Sequence, residues 1–306
     1  MKCKKCKSTA AIELKRHNAA FCKSHYLDFF DHQVERAIRR QGMFSFQDKI
    51  LVGVSGGKDS LSLWDYLLRK GYTTTGLHIH LGIGDYSSNS SAATAEFAEQ
   101  RKANLITVNL EESYGMTIPL LSNTIRRVPC SGCGLSKRYI LNKEAYDRKF
   151  SVVAMGHNMD DEAATLLGNV LRWQVSSLAR QSPALPSNGT NLISRVKPLY
   201  TMTEREVAAN AILRGINYVE EDCPNSIGAS SILYKEALDA IELRSPGTKH
   251  NFISSFLENV RPLMEVSQED FELRECDSCG QSTTSRTCSF CRMWDQAREK
   301  ANITMK

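Results

Sequence analysis

Ile50-Leu51-Val52-Gly53-Val54-Ser55-Gly56-Gly57-Lys58-Asp59-Ser60 is the stretch on which the fold turns. An apolar run enters a glycine-rich turn, and Leu61, Leu63, Trp64, Leu67 and Leu68 follow at roughly helical spacing. The pattern predicts a strand, a loop and a helix ending near Gly71. In such a loop the glycines let backbone N–H groups approach an oxyanion, the helix N-terminus favours negative charge, and Lys58 adds a cation. The spacing fits neither the Walker A pattern nor the dinucleotide fingerprint.

Outward from this unit the alternation continues. Strands are expected at Thr75 to Leu81, Leu105 to Leu110, Ser151 to Met155 and Asn217 to Glu221, with helices at Ala92 to Lys102, Leu135 to Lys149 and Asp161 to Trp173. This predicts an α/β fold, an open parallel sheet covered on both faces. Thr203 and Glu206 have capping-box spacing for a helix running to about Leu213 before Gly215. Gln174 to Ser194, rich in Ser, Pro, Asn and Gly, reads as a long loop, either a substrate lid or a disordered segment.

Of the 306 residues 42% are hydrophobic, enough for one substantial core with one or two small modules. The amino end resembles no secretory signal and no apolar run approaches a membrane span, so a cytoplasmic address is expected. Net charge is +5, and the first forty residues hold ten Lys or Arg against four Asp or Glu, a distribution that suits a polyanion or merely solvates a small module.

The ten cysteines fall into groups, which in a reducing compartment points to metal rather than disulfides. Cys3 and Cys6 with Cys22 and His25 supply two tight pairs of N/S ligands, as a tetrahedral zinc site requires; Cys276, Cys279, Cys288 and Cys291 form a second quartet, with iron the alternative metal in each. Cys130, Cys133 and Cys223 remain. Three thiolates can hold a 4Fe-4S cube and leave one iron open, or two of them can act as a sulfur relay with a spare third.

Ser55 to Ser60 resembles the SGGxDS signature of the PP-loop ATP pyrophosphatases, and Gly156-His157-Asn158-Met159-Asp160-Asp161-Glu162 resembles their GHNxDDxxE motif. With the central CSGCGLSKR, Asp222-Cys223-Pro224 and the terminal cysteine sets, the order of motifs is similar to the TtuA branch of the tRNA 2-thiouridine synthetases across essentially the whole chain. That resemblance implies an N-terminal zinc finger (1–30), a catalytic domain (31–265) and a C-terminal zinc ribbon (266–306). It implies ATP with Mg2+ bound by Gly53, Val54, Ser55, Gly56, Gly57, Lys58, Asp59, Ser60, Lys137 and Gly156, with adenine against Ile79. It implies Asp59, Lys137 and Asp161 at the reaction centre, a 4Fe-4S cluster on Cys130, Cys133 and Cys223, two zinc ions, and a ubiquitin-like thiocarboxylate sulfur carrier. The implied reaction adenylates a tRNA uridine at C2, at position 54, and replaces the oxygen with sulfur; a homodimer is compatible with it. Thiolation at uridine 34 or cytidine 32, a PP-loop amidating or ligating enzyme, and a zinc-ribbon nucleic-acid binder with a vestigial nucleotide fold are the rivals. His78 and His80, alternating with apolar residues, read as strand-face histidines rather than catalysts.

Overall fold

The computed structural model describes residues 1–187, 191–226, 228–264 and 273–301. Near the amino terminus β1 (Ile12–Leu14) and β2 (Ala19–Phe21) pair antiparallel, with Asn18 in the left-handed region between them. They lead into α1 (Lys23–Arg40), whose Tyr26, Phe30, Val34, Ala37 and Ile38 recur at helical spacing and are buried. This end is anchored to the rest of the chain. Arg16 donates to both carboxylate oxygens of Glu206, at 2.9 and 2.7 Å, and the Tyr26 hydroxyl donates to the Glu206 carbonyl.

β3 (Ile50–Val54) is the spine of the sheet. Ile50, Val52 and Val54 belong to the apolar cluster on one face and Leu51 to that on the other, so the strand is buried on both sides. α2 (Lys58–Arg69), β4 (Thr74–His80), α3 (Gly84–Arg101) and β5 (Asn104–Asn109) extend the sheet to one side. The chain then passes through α4 (Leu110–Tyr114), α5 (Ile118–Ile125) and α6 (Pro129–Asp147) to β6 (Val152–Met155), which pairs with the opposite edge of β3. α7 (Met159–Leu171), α8 (Val175–Ala179), β7 (Ala184–Leu185), β8 (Ser194–Val196) and α9 (Glu204–Arg214) follow. Among the described residues the strand order is β5-β4-β3-β6-β8-β7, parallel except for β7. The winding reverses between β3 and β6, the place where such sheets bind ligands.

α10 (Ser230–Arg244) and α11 (Thr248–Ser255) pack on α7, and α12 (Arg261–Met264) lies against α8. Beyond them β9 (Arg274–Glu275) and β10 (Ser282–Thr283) form a small hairpin before α13 (Ser289–Ala301). Trp294 is fully buried with Leu51, Leu77, Ile140 and Val153, and its Nε1 donates to the Ser136 hydroxyl at 3.3 Å. The C-terminal module therefore completes one face of the core. No helix among the described residues is long and apolar enough to cross a membrane.

Three expectations are corrected. Asn217 to Glu221 is not a strand: it is an irregular segment whose Val219 N–H donates to the Gly56 carbonyl at 3.0 Å, and β8 takes the expected place in the sheet. Gln174 to Ser194 is not a bare loop, since α8 and β7 lie in it and Asn191 fastens it to the C-terminal module through the Gly280 carbonyl and Ser282 hydroxyl. Residues 188–190 of that segment, and the expected boundary at 265/266, lie outside the described residues. Cys130 and Cys133 do not precede a helix but sit in the first turns of α6, which Pro129 opens.

Candidate active site and metal sites

The turn after β3 is tightly built. Gly56 has a φ of +79°, and a Cβ there would lie 2.7 Å from the Ser90 carbonyl oxygen, so the position requires glycine. Ser55 N–H donates to the Ser60 hydroxyl at 3.1 Å, which in turn donates to the Gly57 carbonyl at 3.1 Å. Opposite, Gly156 after β6 approaches so closely that a Cβ would sit 2.7 Å from Ser60 N. The two loops bound a cavity of about 320 Å³ at the switch point. Gly53, Val54, Ser55, Asp59, Ser60, Ile79, Lys137, Gly156 and Asp161 line it, as do Tyr86, Ser87 and Ser90 of α3, Arg138 and His157. Gly56, Gly57 and Lys58 are not among the lining residues. His78 is a structural group bridging the Val54 carbonyl (3.0 Å) and the Ser91 hydroxyl (2.9 Å).

The charged groups form one network. Lys58 Nζ pairs with Asp59 at 3.3 Å and Glu204 at 2.8 Å; Lys235 Nζ pairs with Glu204 at 3.2 Å and Asp161 at 2.6 Å. Burial raises the Asp59 carboxyl above its usual range, opposed by the Lys58 charge and a hydrogen bond from Asn158. Burial would lower Lys235, but Asp161 and Glu204 outweigh it and hold the ammonium above its usual range. Asp161 also completes the capping box of α7, accepting from Asn158 N–H at 3.1 Å. Its neighbour Asp160 is buried against Lys249 and accepts the Glu204 N–H at 2.7 Å, so of the adjacent pair only Asp161 faces the cavity. Glu204 and Lys235 carry no motif and escape a reading of sequence. Ser87, Ser88, Asn89, Ser90 and Ser91 inside α3 are a signal that could have been read, because such residues are poor helix formers, and Ser87 and Ser90 are buried.

The terminal cysteine sets fit a tetrahedral ion. Each brings four ligand atoms within 4.8 Å of one another. Cys6 and Cys22 sulfurs lie 3.7 Å apart and Cys279 and Cys288 3.8 Å apart, against about 3.8 Å for two sulfurs on one zinc. His25 Nδ1 stands 3.4 Å from Cys3 Sγ and 3.3 Å from Cys22 Sγ, so Nδ1 is the ring nitrogen turned toward the sulfurs. The Ser24 hydroxyl draws Cys22 down to about 5, whereas burial pushes Cys288 up to about 11. Three thiols with an imidazole in one set, and four thiols in the other, cannot all ionise so close together without a cation.

The central three come together differently. Cys130 and Cys133 share one side of α6, and Cys130 Sγ donates to the Asn225 carbonyl at 3.1 Å, which brings the Cys223 loop against that helix. Burial pushes the Cys133 thiol up, Lys137 opposes it, and both Cys223 and Cys130 add to the rise. Among the described residues only the terminal sets are as compact as a single ion demands. A four-iron cube spreads its thiolates over separate irons, and a looser trio suits it.

A model of the PP-loop domain family matches residues 30–227, and one of the 2-thiouridine synthetase TtuA N-terminal LIM domain matches residues 2–27. The chain is 51% identical to a tRNA-5-methyluridine(54) 2-sulfurtransferase of Thermus thermophilus, over 98% of this chain and 93% of the relative. It belongs to the tRNA-5-methyluridine(54) 2-sulfurtransferase family. A further 2-sulfurtransferase, from Pyrococcus horikoshii, is 41% identical over 98% of this chain and 95% of its own. Among solved structures, the U34-tRNA thiolase NcsA from Methanococcus maripaludis with its 4Fe-4S cluster superimposes with a TM-score of 0.83 at 25% identity, covering 96% of each chain.

Proposed function

We propose that this chain is an ATP-dependent tRNA sulfurtransferase that adenylates the C2 oxygen of uridine 54 and exchanges it for sulfur. One observation carries the reading: Ser55, Asp59 and Ser60 of the PP-loop line one cavity with Lys137 and Asp161, at the end of the sheet where α6 and the Cys223 loop also bring Cys130, Cys133 and Cys223 together. The Ser55–Ser60 loop and Gly156 would cradle the phosphates with adenine against Ile79, and Asp59 and Asp161 would hold Mg2+. Lys58 and Lys235, paired with Asp59, Glu204 and Asp161, are the cations that would neutralise triphosphate charge beside this cavity. Lys137 would stand against the α-phosphate, where charge develops as the uridine oxygen attacks and pyrophosphate leaves. Sulfur addition at C2 then expels AMP.

Cys130, Cys133 and Cys223 would hold a 4Fe-4S cluster, which supplies an iron with an open coordination position for sulfur. The two terminal sets would hold zinc and fix the modules: an N-terminal finger (1–30) and a C-terminal ribbon (266–306) flanking the catalytic domain (31–265). A ubiquitin-like carrier ending in a thiocarboxylate is the sulfur source, and a homodimer working in the cytoplasm the setting. The test is an anaerobic reaction of reconstituted protein, unmodified tRNA, ATP and sulfide. It should yield AMP, pyrophosphate and a 2-thiouridine at position 54 by nucleoside mass spectrometry. ADP and phosphate as the tRNA-dependent products would overturn the adenylation, and sulfur at another position would overturn the target.

A further inference from the structure

A second cavity, of about 220 Å³, lies between α6, β8 and the C-terminal module. Arg138 and Arg195 line it together with Tyr139 of α6 and Gln281, Cys288, Ser289 and Phe290 of the C-terminal module. Arg138 lines the nucleotide cavity as well, so its guanidinium is shared by the two spaces. Among the described residues neither guanidinium donates a hydrogen bond or meets a carboxylate, and the Cys133 thiol is the one opposing group near Arg138. Arg16, Arg69 and Arg101, by contrast, each meet a carboxylate within 3 Å. Burial and the neighbouring Arg138 charge both weigh against the charged form of Arg195. Arg195 is half-buried and the exposed Arg138 adds a second positive charge beside it, so an anion reaching this cavity meets both guanidinium groups. The walls are fixed for such a guest: Asn142 Nδ2 donates to Gln281 Oε1 and to the Asn191 carbonyl, both at 2.7 Å, holding the C-terminal module at a set distance from α6.

We infer that Arg138 and Arg195 form a subsite for an RNA phosphodiester flanking the nucleotide that enters the adenylation cavity. The inference rests on the tRNA reading above. A planar guanidinium fork matches the two non-bridging oxygens of a phosphodiester. Every uridine that enters the first cavity brings a phosphodiester on each side of its ribose, and Arg138, spanning both spaces, stands where one of them leaves. A protein C-terminus brings a single carboxylate, and sulfur transfer needs that at the cysteines rather than under the C-terminal module. Phosphate contacts of this kind set the register of the RNA while the base site reads its identity.

The experiment measures binding of an unmodified tRNA transcript to the full-length protein across a salt series, with ATP affinity followed in parallel. R195Q should weaken tRNA binding roughly tenfold and lower the log–log salt slope by about one. R195K, which keeps the charge but loses the fork, should weaken binding less and keep the wild-type slope. It also serves if R195Q fails to fold. Neither change should alter ATP affinity, since Arg195 does not line the nucleotide cavity. Wild-type affinity and slope in R195Q would overturn the subsite, as would R195K with a lowered slope. So would intact tRNA binding alongside lost affinity for a peptide ending in Gly-Gly carboxylate, which would assign the arginines to a protein tail. A wild-type protein that binds no tRNA would instead bring down the proposed function itself.

Discussion

Gly156 shows how little space separates the two loops of the nucleotide cavity. A Cβ there would stand 2.7 Å from Ser60 N and 2.9 Å from Asp59 C, both backbone atoms that cannot swing aside as a side chain can. Gly156→Ala should therefore displace the phosphate loop and lower ATP affinity at least about tenfold while the melting temperature falls only modestly. Gly132→Ala, whose added carbon meets nothing nearer than 3.7 Å, should leave ATP affinity unchanged. Calorimetric titration with ATP and a circular dichroism melt check both; wild-type affinity in Gly156→Ala would mean the loops move freely. Gly156 and Asp161 are readable from sequence because they stand in a contiguous motif. Lys235 and Glu204 are not, because each reaches the site from a separate helix, α10 and α9, and a lysine or glutamate on an amphipathic helix ordinarily faces water.

Between elements, buried charge and the cysteine sets do the joining. Asp31 of α1 takes a two-pronged bond from Arg69 of α2, at 2.8 and 2.9 Å, and another from Arg214 of α9 at 3.1 Å. Burial raises the Asp31 carboxyl, but Arg69 and Arg214 prevail and hold it below the usual carboxylate range. A folded pKa below the unfolded one stabilises fully above about pH 4 and loses that contribution as pH falls through the lower value. Asp31→Asn should thus lower the urea midpoint at pH 7 and narrow the gap between pH 7 and pH 3; an unchanged gap would show that Asp31 carries none of the acid sensitivity. At the far end, Cys276→Ser should release one zinc and lower the melting temperature, because the ribbon carries Trp294 into the core. The cluster absorbance should persist, and equal loss of zinc and iron would undo the separation of the sites. The strands of the central sheet are legible as apolar runs, but β8 is three residues containing Arg195 and offers no such run. Tyr218 and Val219, both strand-prone, suggest a strand at Asn217 to Glu221, but the segment is an irregular stretch beside Gly56.

Across the whole molecule, the fold gathers at one end of the sheet three cysteines that are distant in sequence. α6 enters between β5 and β6 with Cys130 and Cys133 in its first turns, and the chain returns after α9 with Cys223. The hydrogen bond from Cys130 to the Asn225 carbonyl joins the two approaches, while Lys137, one helical turn beyond Cys133, faces the nucleotide cavity. Cysteine spacing alone leaves a cube and a two-cysteine relay equally open, since Cys223 has no partner in its own segment. The meeting of Cys223 with α6 favours the cube, because a relay needs only the pair on one helix side. Replacing Cys223 with Ala should accordingly abolish both the broad iron–sulfur absorbance and tRNA thiolation after anaerobic reconstitution, as two thiolates hold a cube poorly. ATP binding should survive, since Ser55 to Ser60 and Gly156 are untouched and Cys223 does not line the nucleotide cavity. A Cys223→Ala protein with full absorbance and normal thiolation would leave Cys130 and Cys133 as the working pair and make the relay the better account.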